Sequence, residues 1–216
     1  MSIRIVLADD HTILRQSLVK SFNEESDIEI VGEAKDGRST VELARQLQPD
    51  IVVMDIEMPD LNGLEATRRI TKDFPQIKVL GLSMHANDKY IREMFRAGAN
   101  GYLLKNCPFE ELVKAVRIIM QGKTFISSSI GDVVIKEYIN TPEKNKSVFS
   151  ILSEREREIM QLLAEGQTTK FIARQLHISP KTVEGHRLKM MGKLNIDSIA
   201  KLTKYAIQEG VTTPEP

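Results

Sequence analysis

Two patterns alternate through the first half of the chain. Five short apolar runs, Ile3 to Ala8, Ile28 to Val31, Ile51 to Met54, Val79 to Leu82 and Tyr102 to Leu104, are rich in Ile, Val and Leu and read as strands buried on both faces. Between them lie segments with apolar residues at helical spacing: Leu14, Leu18 and Phe22, then Val41, Ala44 and Leu47, then Leu112, Val116 and Ile119. This βαβ alternation predicts an α/β doubly wound fold, with a five-stranded parallel sheet in the order 2-1-3-4-5 and helices on both sides. From Leu152 onward strand-like runs stop and only helical spacing and caps remain, which predicts a small all-α domain. The intervening "TFISSSIGDVVIKEYINTPEKNKSVFS" reads as a connection, with a short amphipathic helix over about 129–139 and a polar, proline-containing stretch after it.

Length and composition agree with two domains. A chain of 216 residues can bury two cores, and 41% hydrophobic with 28% charged residues and no Trp is an ordinary globular composition. Thirty basic residues balance thirty acidic ones, so net charge says nothing about partners until it is resolved locally. Cys107 is the single cysteine; it excludes an intrachain disulfide and a cysteine-based zinc cluster and fits a reducing compartment. "MSIRIVLADDH" reaches acidic residues too early for a signal peptide, and no run of ~18 apolar residues occurs. A cytoplasmic protein without a membrane partner is expected.

In an open parallel sheet the functional crevice lies beyond the carboxyl ends of the strands. Asp9 and Asp10 end the first run, Asp55 follows the third, Ser83 the fourth and Lys105 the fifth. Taken singly, each reads as a loop start or a helix cap; together they place three acids, a hydroxyl and an amine at one edge. Clustered carboxylates repel unless a cation sits among them, which points to a hard divalent ion with oxygen ligands, Mg²⁺ first. A carboxylate can accept a phosphoryl group, and phosphoryl transfer needs little beyond positioning and charge neutralisation. Lys105 and a metal would neutralise, and Ser83 could donate a hydrogen bond to a phosphoryl oxygen.

"LADDH", "VVMDIEMPDLNG", "GLSMH" and "GYLLK" resemble the signature segments of a response-regulator receiver domain, over roughly residues 1–122. The resemblance implies Asp55 as phosphoacceptor for a sensor histidine kinase, Asp10 as a direct metal ligand and Asp9 as a nearby acid acting directly or through water. It also implies a metal contact from the backbone carbonyl of Glu57, a phosphoryl contact from Lys105, a switch hydroxyl on Ser83 and a switch aromatic in Tyr102. The Glu57 side chain and His85 stand where family members tune dephosphorylation.

In the second half, Ser153 and Glu156 form a capping box ahead of "EREREIMQLLAEG", with Gly166 in the stopping position. A helix over about 169–176 and another opened by Ser179 and Pro180 are joined by a tight connection, the layout of a helix-turn-helix. From Thr168 to Lys204 the residues Lys170, Arg174, Lys181, Arg187, Lys189, Lys193, Lys201 and Lys204 face only Glu184 and Asp197, a net charge of +6. A basic helix-turn-helix suits DNA phosphates. "LSEREREIMQLLAEGQTTKFIARQLHISPKTVEGHRLKMMGKLNI" resembles a LuxR-type output domain of the NarL/FixJ response regulators. The resemblance implies a DNA-binding domain over 149–216, a helix-turn-helix over about 168–187, and a linker over 123–148. Lys170, Lys181, Thr182, Glu184, Gly185, Arg187, Leu188, Lys189 and Lys193 are the candidate DNA contacts, and Val183, Met190 and Leu194 the core. Lys189 stands where asparagine is common, and Gly192 interrupts the helix, where glycine costs about 1 kcal/mol relative to alanine.

The expected function is a phosphorylation-dependent transcriptional response regulator that binds promoter half-sites in double-stranded DNA, dimerises on DNA or when phosphorylated, and has RNA polymerase as a further candidate partner. Two rival functions fit the sequence less well. A phosphohydrolase would need a second general acid placed to activate substrate two residues beyond the nucleophile, where the chain offers Glu57 rather than an aspartate, and nothing like a substrate cap is present. A phosphorylation-independent DNA binder would not need the five site residues.

Overall fold

The computed structural model describes residues 2–84, 88–127, 130–131 and 148–212, and the chain divides into two compact units, Met1–Pro142 and Glu143–Pro216. In the first, β1 (Ile3–Ala8), α1 (Thr12–Phe22), β2 (Ile28–Ala34), α2 (Gly37–Leu47), β3 (Ile51–Asp55), α3 (Gly63–Asp73), β4 (Lys78–Ser83), α4 (Asp88–Arg96), β5 (Gly101–Leu104) and α5 (Phe109–Met120) alternate strictly, and β6 (Phe125–Ile126) follows. Every strand pair is parallel, in the order β2-β1-β3-β4-β5-β6. The strand count is thus six rather than the expected five: Phe125 and Ile126, inside the stretch read as linker, pair with Gly101 and Tyr102.

The central strands are buried on both faces: every residue of β3 and all but the first of β4 are buried. β2 differs from the expectation. It lies at an edge of the sheet and exposes Glu29 and Glu33, because an edge strand keeps one flank and part of a face in water. On one face Ile5, Leu7, Val53, Leu80 and Leu103 pack with Phe22 of α1 and Val113, Val116 and Ile119 of α5. The Phe22 and Phe109 rings meet edge to face, with centroids 5.0 Å apart, a favoured aromatic geometry. The strand order reverses direction at β1 and β3, so the ends of those two strands flank the switch-point crevice.

Local chemistry starts the helices. Asp36 accepts from the Ser39 N–H to open α2, and Asn62 from the Glu65 N–H to open α3, each satisfying a backbone donor that a helix start leaves without a partner.

The second unit contains α6 (Val148–Ile151), α7 (Glu154–Ala164), α8 (Thr169–Gln175), α9 (Pro180–Leu194) and α10 (Ile199–Gln208). The Ser153 and Glu156 capping box is formed in both directions at the head of α7. Ser179 caps α9, with Pro180 in the first turn, and Asn195 ends it in the left-handed conformation at φ 54°, which asparagine tolerates better than most residues. Ile159, Leu162, Ile172, Val183, Met190, Leu202 and Ala206 form the core of the unit. Of the connection, only 130–131 among residues 128–147 is described, and it is helical; the rest of the helix expected over 129–139 lies outside the described residues, as does His85. Among the described residues no helix is long and apolar enough to cross a membrane.

Candidate functional site

Strand ends deliver the polar cluster. β1 stops at Ala8 and β3 at Asp55, in register with each other, so Asp9 and Asp55 emerge side by side with no exposed surface. Lys105 follows β5, and its backbone N–H donates to the Ser83 carbonyl at 2.8 Å. That bond holds the ends of β4 and β5 together and directs the lysine inward. Lys105 Nζ reaches Asp55 Oδ2 at 2.7 Å and Asp9 Oδ2 at 2.8 Å. One buried ammonium thus bridges two buried carboxylates.

This arrangement shifts Asp55 and Lys105 from their behaviour in water. Burial dominates at Asp55 and raises its carboxyl from 3.8 to about 7; Lys105 opposes the rise and the neighbouring Asp9 adds to it. Burial would lower the Lys105 ammonium, yet Asp55 and Asp9 more than offset that and hold it above its ordinary value. A desolvated carboxylate next to a second acid resists ionisation, so the cluster has room for more positive charge.

The donor set fits a divalent metal. Asp9, Asp10, His11 and Asp55 each offer a ligand atom, all within 4.8 Å of one another. Asp9 Oδ2 and Asp10 Oδ1 are buried and lie 2.8 Å from Lys105 Nζ and 2.8 Å from His11 Nδ1. Buried carboxylate oxygens with unused lone pairs are what a hard cation coordinates. The Glu57 N–H donates to Asp55 Oδ1 at 3.1 Å, a short turn that brings the Glu57 backbone beside the cluster. The sequence reading missed His11. Its N–H donates to Asp9 Oδ1 at 2.8 Å and its ring joins both acids, although the side chain is 64% exposed. The only signal was its place after the acid pair, which reads equally well as the start of α1.

The groups expected to respond sit behind the acids. Ser83 and Tyr102 are fully buried and hydrogen-bonded to each other. Burial pushes the Tyr102 hydroxyl up to about 12, against the hydrogen bond from Ser83 and together with the charges of Glu57 and Asp55. Tyr90 of α4 donates its hydroxyl to the Glu57 carboxylate, and burial and that acid raise its pKa. Beneath the site, Gly63 opens α3 with its N–H on the Ile56 carbonyl at 2.9 Å. A Cβ there would stand 1.9 Å from the Asp55 carbonyl oxygen, so only glycine lets the α3 backbone seat against the end of β3.

In the second unit, α8 and α9 are joined through His177, which takes φ 53°, as a tight helix-turn-helix. Val183 and Met190 are buried under α9. Lys181, Thr182, Leu188 and Lys189 are exposed, while Glu184, Gly185 and Arg187 are half-buried. Arg187 pairs with Glu184 at 2.6 Å, and Glu184 also accepts from Thr169 Oγ1 at 2.9 Å, which locks the start of α8 to α9. Lys193 pairs with Glu156 at 2.6 Å, the same carboxylate that closes the capping box. Burial opposes ionisation of Glu156, but Lys193 and Ser153 outweigh it and hold the carboxyl below its ordinary value. Lys170, Lys181 and Lys189 have no ion-pair partner among the described residues. The candidate contacts therefore divide into cations open to a ligand and charges already engaged within the unit.

Known proteins with the same organisation were found. Residues 5–117 match the response regulator receiver domain, and residues 150–206 match the luxR family of bacterial regulatory proteins. The oxygen regulatory protein NreC of Staphylococcus carnosus is 39% identical over 211 residues, covering 95% of this chain and 97% of its own. The response regulator UvrY of Escherichia coli is 38% identical over 213 residues, covering 99% and 97%. Among solved structures, the two-component response regulator RcsB in complex with DNA is 25% identical, with TM-score 0.60 over 95% of this chain and 98% of that one. Both halves match a known module in the order in which these relatives carry them, and the chain belongs to the response-regulator family, joining a receiver domain to a LuxR-type DNA-binding domain.

Proposed function

We propose that Asp55 is the phosphoacceptor of a two-component system and that its phosphorylation by a sensor histidine kinase controls binding of the second unit to promoter DNA. The bridge from Lys105 Nζ to Asp55 and Asp9 is the observation that carries this reading, because a lone structural acid would not need a buried ammonium and a second acid around it. An Asp55 oxygen forms the new O–P bond as the P–N bond to the kinase imidazole breaks, and the imidazole leaves with the electron pair. Lys105 lies within reach to neutralise the added charge, about −1.5 to −2. Asp9, Asp10, Asp55 and the Glu57 carbonyl would hold Mg²⁺, which when bound supplies further neutralisation of phosphoryl oxygens. Ser83 turns its hydroxyl toward the phosphoryl group, and its partner Tyr102 follows inward, repacking the face formed by α4 and β5.

The receiver occupies residues 1–122 extended by β6, the remainder to 148 connects, and 149–216 bind DNA. Lys170, Lys181 and Lys189 meet phosphates or base edges, with Thr182, Gly185 and Leu188 beside them on the helix that enters the major groove. Glu184, Arg187 and Lys193 set the attitude of that helix through their internal ion pairs and approach DNA at its margins. A two-fold dimer on half-sites about one helical turn apart is the active form, and RNA polymerase is the partner downstream. RcsB, a relative in the same family, has been solved with DNA, which supports the output half. The protein works in the cytoplasm, and its only turnover is hydrolysis of its own aspartyl phosphate.

Acetyl phosphate with Mg²⁺ should add one hydroxylamine-labile phosphoryl group, seen by intact mass, to wild type and none to Asp55→Asn. Equal labelling of the variant would remove Asp55 from the role.

A further inference from the structure

Helix α9 is divided into two opposite stripes. Val183 and Met190, two turns apart, are fully buried. At 3.6 residues per turn, Lys181, Gly185, Leu188 and Gly192 fall on the opposite side. Leu188 is 67% exposed, and a Cβ built at either glycine would meet nothing within 4 Å. Neither glycine is therefore required by packing inside the unit. Neither takes a positive φ, so backbone conformation does not require them either. One apolar side chain stands alone between two bare stretches of helix, with the open cations Lys181 and Lys189 beside it.

The lysines suit the phosphates that border a groove, and the bare backbone at Gly185 and Gly192 lets the helix approach more closely than side chains would. In a major groove lined by hydrogen-bonding edges, the one apolar group that a base presents is the 5-methyl of thymine. We propose that Leu188 is a specificity-determining residue that packs on a thymine methyl in each half-site, while the base pairs facing Gly185 and Gly192 are left unread. This inference rests on the DNA-binding reading of the second unit and names what its helix selects.

The test begins by selecting duplexes from a random pool with the full chain, with and without acetyl phosphate and Mg²⁺. Each thymine of the enriched site is then replaced, one at a time, by deoxyuridine, which lacks only the methyl. One position per half-site should weaken binding about fourfold, the value of one buried methyl-sized group. With Leu188→Ala the ratio of thymine to deoxyuridine affinity at that position should fall to about one, while Leu188→Met restores discrimination. Leu188 is exposed, so these variants keep the fold. An enriched site without thymine, insensitivity of wild type to every deoxyuridine, or a fourfold ratio retained by Leu188→Ala overturns the inference and leaves DNA binding standing. Failure to enrich any duplex under either condition overturns the DNA-binding reading, and this inference with it.

Discussion

Replacing Asp55 by asparagine should make the receiver more stable while abolishing its chemistry. Moving a carboxyl from 3.8 to about 7 corresponds, at about 1.36 kcal/mol per tenfold, to roughly 4 kcal/mol lost from folding when the group is ionised. That figure is a ceiling for the gain. Asparagine keeps an acceptor for the Glu57 N–H, but Lys105 loses one of its two carboxylates, so a net gain of ~2 kcal/mol is expected. The sign follows from linkage: the folded protein binds the Asp55 proton more tightly than the unfolded chain, so wild-type stability falls as pH rises between about 4 and 7. The variant lacks this dependence. Urea unfolding followed by circular dichroism in metal-free buffer should show the receiver midpoint of Asp55→Asn higher by ~1 M near pH 7.5, with the gap almost closed near pH 5.5, where the wild-type penalty is smaller by ~2 kcal/mol. A variant less stable than wild type near pH 7.5, or a gap independent of pH, would refute the claim that burial and Asp9 oppose ionisation at this position.

Two further outcomes follow from other contacts. Gly63→Ala should lower receiver stability by ~3 kcal/mol or more, at or beyond the upper end for overpacking, because the intruding Cβ meets the Asp55 backbone at 1.9 Å rather than a movable side chain; the same urea titration measures it. Glu156 is held below its ordinary value, so its stabilisation is complete above about 4.5 and is lost as pH falls through the lower folded value. Lys193→Met removes the partner, and thermal melts of the second unit should lose less stability than wild type between about pH 5 and pH 3.

The sheet edge was legible in the sequence because parallel strands buried on both faces must put their polar punctuation at one end. Asp9, Asp55, Ser83 and Lys105 could be gathered there by strand order alone. The caps at Ser153 and Ser179 were legible because capping is local. The strand at Phe125–Ile126 was not, since two residues carry no periodicity and their pairing with Gly101 and Tyr102 is a tertiary fact. Side chains that join distant segments were equally hidden. Lys193 gave no local sign of its ion pair with Glu156, 37 positions earlier, at 2.6 Å, and Tyr90 gave none that it would reach Glu57. Gly63 carried no local sign of its role, because its proximity to the Asp55 carbonyl depends on how α3 docks.

The two-residue strand β6 also bears on how this protein can be divided. It covers the free flank of β5 by pairing with Gly101 and Tyr102, and the Phe125 N–H donates to the Asn100 carbonyl at 3.0 Å. A fragment cut at residue 122 would uncover a row of strand donors and acceptors beside the apolar "GYLL", a template for sticking to another copy. A receiver prepared for solution work should therefore end beyond Ile126, and self-association of a shorter piece would report a raw sheet margin rather than a signalling dimer.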